Sequence, residues 1–279
     1  MKRLFLIFIF ITSLFGEDDF SLNFGVTSVA IKQDARNIFK LTHFLTEKSG
    51  IKINTKFAKS YDEMKQMLEK REVDFAYVCG ATYLEAKDSA NLEVLLLPYF
   101  NNAPFYNSLV ITKIDSDATS LISFKNKTYA FSDPKSNSGS IVPRYELLKL
   151  GEDYRRFFKE VIYTYDHSES IDAVAEGYVD GASVDSLIYE SYRLLKPNVV
   201  NKIKIVDSFG PFQSTPVVIR KNISDTTKVK LFEAFKLLDK DVEGREILKG
   251  FGVSSFDIPN KIDFSDIQNM VEVLEKMNE

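Results

Sequence analysis

Apolar positions along this chain switch repeatedly between a strand period and a helix period. Leu22 to Val26 runs into continuous apolar character, as a buried strand does. From Asp34 to Lys48, Ile38, Phe39, Leu41, Thr42 and Leu45 share one side of a helix. Ile51 to Phe57 alternates with period two and predicts a strand. Tyr61 to Arg71 predicts a helix with Met64, Met67 and Leu68 inward. Val73 to Val78 predicts a buried strand, and Leu92 to Leu97 another that ends at Pro98. This β-α-β-α-β order implies a parallel sheet covered by helices on both faces.

The same grammar begins again near Thr112. Leu109-Val110-Ile111 leads through Ile114-Asp115-Ser116 to Leu121-Ile122 and a strand at Thr128 to Phe131. A polar loop and a helix from Val142 to Leu150 follow. Val161 to Tyr165, a helix Ile171 to Glu176, a strand Val179 to Ser183, a helix Asp185 to Leu195 and a strand Ile203 to Val206 complete the second unit. Beyond Gln213-Ser214-Thr215-Pro216, a strand Val217 to Arg220 precedes a helix Thr227 to Leu238. The ending reads as helical around Ile258 to Lys276. The architecture repeats but the sequence does not. Open α/β sheets bind ligands beyond the carboxyl ends of their strands. Three polar loops sit at such ends: Thr27-Ser28, Cys79-Gly80-Ala81-Thr82, and the run after Phe131. A cleft between two α/β lobes would turn all three towards one ligand.

The third loop is the most informative. Phe131-Ser132-Asp133-Pro134-Lys135-Ser136-Asn137-Ser138-Gly139-Ser140 links a strand to a helix through hydroxyls and a glycine. The first N–H groups of a helix lack partners within it, and the helix dipole favours negative charge there. Ser136, Asn137 and Ser138 can add side-chain donors. No Lys or Arg follows the glycine, so the loop is not a nucleotide P-loop. It suits a small oxyanion. An ordinary helix cap is the plainer alternative.

The N-terminus adds a location. Met1-Lys2-Arg3 is basic, Leu4 to Phe15 is nearly all apolar, and Gly16-Glu17-Asp18-Asp19 turns small and acidic. This predicts a signal peptide over residues 1–16, too short to span a bilayer, cleaved near Gly16 to release the protein into the periplasm. Without Lys2 and Arg3, 34 of the 36 basic residues remain against 40 acidic ones, a formal charge of −6. That disfavours nucleic acid as a partner. A chain of 279 residues with 44% apolar content fits two ordinary lobes. The single cysteine, Cys79, rules out an internal disulfide. Together with only two histidines, His43 and His167, it forms no zinc-type set. No nucleophile–base pair or carboxylate dyad suggests an enzyme, and no cofactor is expected.

Several segments carry a family likeness. They are Phe24-Gly25-Val26, Val73-Asp74-Phe75-Ala76-Tyr77, Tyr106-Asn107-Ser108, Asp133-Pro134-Lys135-Ser136-Asn137-Ser138-Gly139 and Val179-Asp180-Gly181-Ala182. From about Leu22 to about Gly252 the chain resembles the phosphate/phosphite/phosphonate-type periplasmic binding proteins of ABC importers. The resemblance implies a type II binding-protein fold. Each lobe is an open, mostly parallel sheet flanked by helices, and the ligand cleft lies at a two-strand hinge. Lobe 1 would comprise residues 17–111 and 215–279, and lobe 2 residues 112–214. It also implies a site. Ser136, Asn137, Ser138 and Gly139 match the oxyanion loop, with Asn137 where Thr is frequent. Tyr61 and Tyr106 match first-lobe tyrosines. His167 matches a second-lobe donor, and Asp185 lies at a pocket-facing position. Each residue also has a plainer reading: Tyr61 and Tyr106 as core aromatics, His167 as a surface residue near a helix start, Asp185 as the cap of its helix.

The implied partners are a small oxyanion and a membrane permease, with a monomeric protein between them. A sensor kinase in place of the permease is one alternative, and an enzyme on the same fold is a more distant one. In members that bind an amine, carboxylates could stand where Leu187 and Thr215 fall. Their absence favours phosphate, phosphite or methylphosphonate over an aminoalkylphosphonate. Cys79 replaces a more usual glycine. It reads as a small buried hydrophobe, or as a soft ligand for arsenite.

Overall fold

The computed structural model describes residues 21–27 and 35–277. The expected signal peptide, Ser28 and Asp34 lie outside the described residues. Two separate sheets organise the chain. The first has the order β11-β4-β10-β3-β1-β2, from β1 (Ser21–Val26), β2 (Lys52–Phe57), β3 (Phe75–Tyr77), β4 (Leu92–Tyr99), β10 (Val217–Arg220) and β11 (Ser255–Asp257). β1 pairs in parallel with β2 and β3, as two βα units require. β10 is inserted antiparallel between β3 and β4, and β11 adds antiparallel to β4. Helices α1 (Ala35–Ser49), α2 (Tyr61–Glu69), α3 (Gly80–Ala86), α9 (Asp225–Lys236) and α10 (Val242–Gly250) accompany this sheet.

The second sheet has the order β7-β6-β8-β5-β9, from β5 (Phe105–Lys113), β6 (Thr128–Phe131), β7 (Glu160–Tyr163), β8 (Gly181–Asp185) and β9 (Ile203–Gln213). β6 pairs in parallel with β7 and β8, while β5 runs antiparallel between β8 and β9. Around it lie α4 (Val142–Lys149), α5 (Tyr154–Phe157), α6 (His167–Glu176), α7 (Ser186–Leu195) and α8 (Pro197–Val200). In each sheet four strands share one direction; β10 and β11 oppose them in the first, and β5 opposes them in the second.

Sheet membership corrects one boundary. The sequence assigns residues up to 111 to the first lobe, but β5 pairs with β8 and β9 from Phe105 onwards. Its Leu109, Val110 and Ile111 pack into the two clusters that cover the second sheet. The first crossing therefore lies between Tyr99 and Phe105, and the second between Gln213 and Val217. Tyr106 moves with it: its backbone belongs to the second sheet, while its ring joins the first lobe's cluster beside Phe212.

Hydrophobic clusters line both faces of both sheets. The largest also takes in Ile141, Val142 and Leu187 from the second lobe, so the cores meet at the lobe interface. α11 (Ser265–Lys276) lies over the junction against α3 on one side and α4 on the other. No helix among the described residues is long and apolar enough to cross a membrane.

Candidate functional site

β6 is short because its apolar run stops at Phe131. The next residues form the loop the sequence singled out. The chain does not pass straight into α4: Asn137–Ile141 forms one turn of π-helix first. Ser136 caps it, its hydroxyl accepting the Gly139 N–H at 3.1 Å. The Ser136 carbonyl accepts both Ser140 and Ile141 N–H groups, at 3.0 and 2.9 Å. π-turns of this kind recur at functional sites because they widen the helix locally. Ser136, Asn137, Ser138 and Ser140 are all buried.

Other elements fix this turn from outside. The Ser108 hydroxyl on β5 donates to the Ser138 carbonyl at 2.6 Å. Asn137 Nδ2 donates to the Tyr106 hydroxyl at 2.8 Å. The Asn137 N–H meets Cys79 Sγ at 3.4 Å. Cys79 thus touches the loop from the first lobe. Burial pushes its thiol up to about 11, so it stays protonated at neutral pH and offers little thiolate to a soft ligand.

His167 is the first residue of α6, four positions earlier than the sequence pattern suggests. Asp166 caps the helix by accepting the Ser168 N–H, which places the start there. His167 is buried, not a surface residue. Its Nδ1 accepts the Asp185 N–H at 3.2 Å, so the ring proton sits on Nε2. Nε2 lies 3.4 Å from the hydroxyls of both Ser132 and Ser136. Burial lowers the imidazole to about 3, so the ring works as a neutral Nε2–H donor. Asp185 ends β8 and caps α7: Oδ1 accepts the Leu187 and Ile188 N–H groups at 2.7 and 3.4 Å.

The lobes are closed on one another. Tyr61 opens α2 and donates its N–H to Asp133 Oδ2 across the cleft at 3.2 Å. Its ring lies in the first lobe's core. Lys135 reaches Glu85 at 2.6 Å and Asp62 at 3.2 Å, and the Ser191 hydroxyl donates to the Gly250 carbonyl at 2.7 Å. The Thr215 hydroxyl donates to Tyr77 at 3.0 Å, and both are buried.

The structure thus brings Tyr106, Cys79, Ser136, Asn137, Ser138, Gly139, His167 and Asp185 together, with Tyr61 at the edge through its backbone. Sequence reading missed Ser132, Asp133, Tyr77 and Ser108, whose roles depend on contacts between distant elements. Thr27 and Thr82 stood in the polar loops without being singled out. Both hydroxyls are buried with no hydrogen-bond partner among the described residues, as are Ser140 Oγ and Asn137 Oδ1. Buried polar atoms are nearly always bonded, so unpaired ones at converging strand ends point to a polar guest. The convergent set has hydroxyls, amides and a neutral imidazole but no Lys or Arg; Lys135 turns its ammonium to the two carboxylates. Such donors can hold an oxyanion without a counter-cation. Among the described residues no group of three or more His, Cys, Asp or Glu could hold a metal ion.

Comparison with known proteins agrees. Residues 24–264 match the family model of the ABC-transporter phosphonate periplasmic substrate-binding protein. The chain is 29% identical over 248 residues to the phosphonates-binding periplasmic protein of Escherichia coli strain K12, covering 86% of this chain and 72% of that one. The crystal structure of a binding-protein component of an ABC phosphonate transporter from Pseudomonas aeruginosa is similar at TM-score 0.84 and 26% identity, over 94% of this chain and 88% of that one. PhnD1 from Prochlorococcus marinus, solved with methylphosphonate, shares the fold at TM-score 0.83 and 16% identity, over 93% of this chain and all (100%) of that one. The chain belongs to the family of periplasmic phosphonate-binding proteins of ABC transporters.

Proposed function

We propose that this protein captures a small phosphonate without an amino group, of methylphosphonate size, and presents it to an ABC permease. The observation that carries this reading is the buried, cation-free set of donors around the Ser136–Gly139 turn. A tetrahedral oxyanion has many acceptor lone pairs and needs convergent donors. At the cleft positions 187 and 215 stand Leu187 and the Tyr77-bonded Thr215. An ammonium buried there would have no carboxylate from either position, and burying an unpaired charge is expensive.

Thermal denaturation in the presence of phosphate, phosphite, methylphosphonate, 2-aminoethylphosphonate and arsenite tests this. Methylphosphonate should raise the melting temperature most, by roughly 5–10 °C at a hundredfold excess over its Kd. A larger shift with 2-aminoethylphosphonate would overturn the amine-free assignment, and no shift with any phosphonate would overturn the ligand class.

Closure should also contribute to affinity. Lys135→Ala removes both inter-lobe ion pairs, which are partly exposed, each being worth a few tenths to one kcal/mol. Methylphosphonate affinity should drop about three- to tenfold, through faster release, with the difference shrinking at high salt. Stopped-flow dissociation at two ionic strengths checks it; an unchanged release rate would mean the pairs play no part in holding the cleft shut.

A further inference from the structure

We propose that Asp185 reads the protonation state of the ligand: its carboxyl and the bound oxyanion share one proton, so the cleft rejects a dianion facing an ionised Asp185. The inference rests on the phosphonate reading above. Asp185 stands directly opposite Ser108 on β5, so both side chains leave the sheet on the same face. Ser108 holds the Ser138 carbonyl, and the Asp185 N–H holds the His167 ring whose Nε2 faces Ser132 and Ser136. The carboxyl therefore belongs to the same ring of groups as the anion seat. Its Oδ1 is committed to the Leu187 and Ile188 N–H groups, whereas Oδ2 receives no hydrogen bond from the described residues.

The surroundings leave Asp185 alone in its titration. Tyr77 from β3, Cys79 ahead of α3, Tyr106 from β5 and His167 from α6 are the titratable groups around it. Burial pushes both tyrosines and the thiol up and the imidazole down, so all four are neutral near pH 7. Burial also raises the Asp185 carboxyl to about 7, against the two N–H groups that hold it down. No lysine or arginine stands in this set to offset its charge. A dianion beside an ionised Asp185 would put three negative charges into a buried cage of neutral donors. One proton on the oxygen–oxygen pair removes one of them and makes a short charge-assisted hydrogen bond. Below neutrality the ligand or Asp185 brings that proton. Above the midpoints of both, the complex must take it from solvent.

Calorimetric titration of the wild-type protein with methylphosphonate from pH 6 to pH 9, in buffers of different ionisation enthalpy, tests this. At pH 9 binding should take up about one proton, and affinity should fall about tenfold per pH unit above the two midpoints. Asp185→Asn keeps an oxygen to cap α7 and offers an amide donor. Above the ligand's own midpoint it should show a flat pH profile and no proton uptake, and at pH 9 it should bind more tightly than wild type. Wild-type binding without proton uptake, or a variant with the wild-type pH slope, would overturn the inference and leave the phosphonate reading standing. Stronger wild-type binding of 2-aminoethylphosphonate as pH rises would overturn it too, since Asp185 would then be pairing an ammonium. No binding of any phosphonate at any pH would overturn the phosphonate reading and this one with it.

Discussion

Replacing Gly139 by alanine should abolish phosphonate binding while leaving the protein folded. A Cβ there would lie 1.9 Å from Ser132 Oγ, 2.9 Å from Ser132 Cβ and 3.0 Å from Ser136 Oγ. The first two approaches are closer than any real Cβ contact. Ser132 cannot step aside, because it is fully buried at the end of β6. The π-turn must move instead, and the Ser136–Gly139 bond that shapes it is the first casualty. Moving the turn displaces several ligand donors at once. Each hydrogen bond to a charged group contributes about 1.5–3 kcal/mol, so losing two weakens binding by at least a hundredfold. Circular dichroism should be unchanged, since the turn is local and only its last residue, Ile141, joins a hydrophobic cluster. Adding Ser132→Gly, which removes both crowded atoms, should restore part of the affinity. An unchanged affinity for Gly139→Ala would remove the turn from the site.

The parts of this molecule that could be read in advance are those where one local signal suffices. The strands Thr128–Phe131 and Val217–Arg220 have the bounds the pattern predicts, because each is an apolar run cut off by polar turn residues. α10, β11 and α3 carry no such signal. α10 turns only Gly244, Ile247 and Leu248 inward, too few for a clear period, β11 is three residues long, and α3 mixes Gly, Ala and Thr. β5 was visible as an apolar run, but periodicity cannot say which sheet it joins. Its partners β8 and β9 come some seventy to a hundred residues later, and only that pairing makes it a second-lobe strand. The site divides the same way. Ser136 to Gly139 could be read from local chemistry, and His167 and Asp185 only through likeness to a family. Ser132, Asp133 and Tyr77 look like unremarkable loop or strand residues until the lobes face each other. The lobe interface, not the sequence around each residue, gives them a role.

Phe131→Ala should cost about 3–5 kcal/mol, the usual range for truncating a fully buried phenylalanine. The ring ends β6 and meets four others, with centroids 5.6 Å from Tyr129, 5.8 Å from both Phe158 and Tyr163, and 6.0 Å from Tyr154. These rings come from β6, α5 and its exit, and β7, so the cavity would open where three elements meet and could not collapse by moving one of them. The melting temperature should drop on the order of 10 °C. Calorimetry should show the loss in the second lobe, because the clusters over the first sheet contain none of these residues. Phe131→Leu refills most of the space and should recover more than half of it. Binding should respond in step, for a physical reason. Ser132 follows Phe131 directly, and its hydroxyl faces His167 Nε2, so the aromatic cluster is the rigid wall against which the anion turn is built. Well below its melting point the alanine variant should still bind methylphosphonate, but more weakly, because a turn that samples several positions presents its donors together for only part of the time. A variant that melts within 2 °C of wild type would mean the cavity does collapse, and the wall is softer than its packing implies.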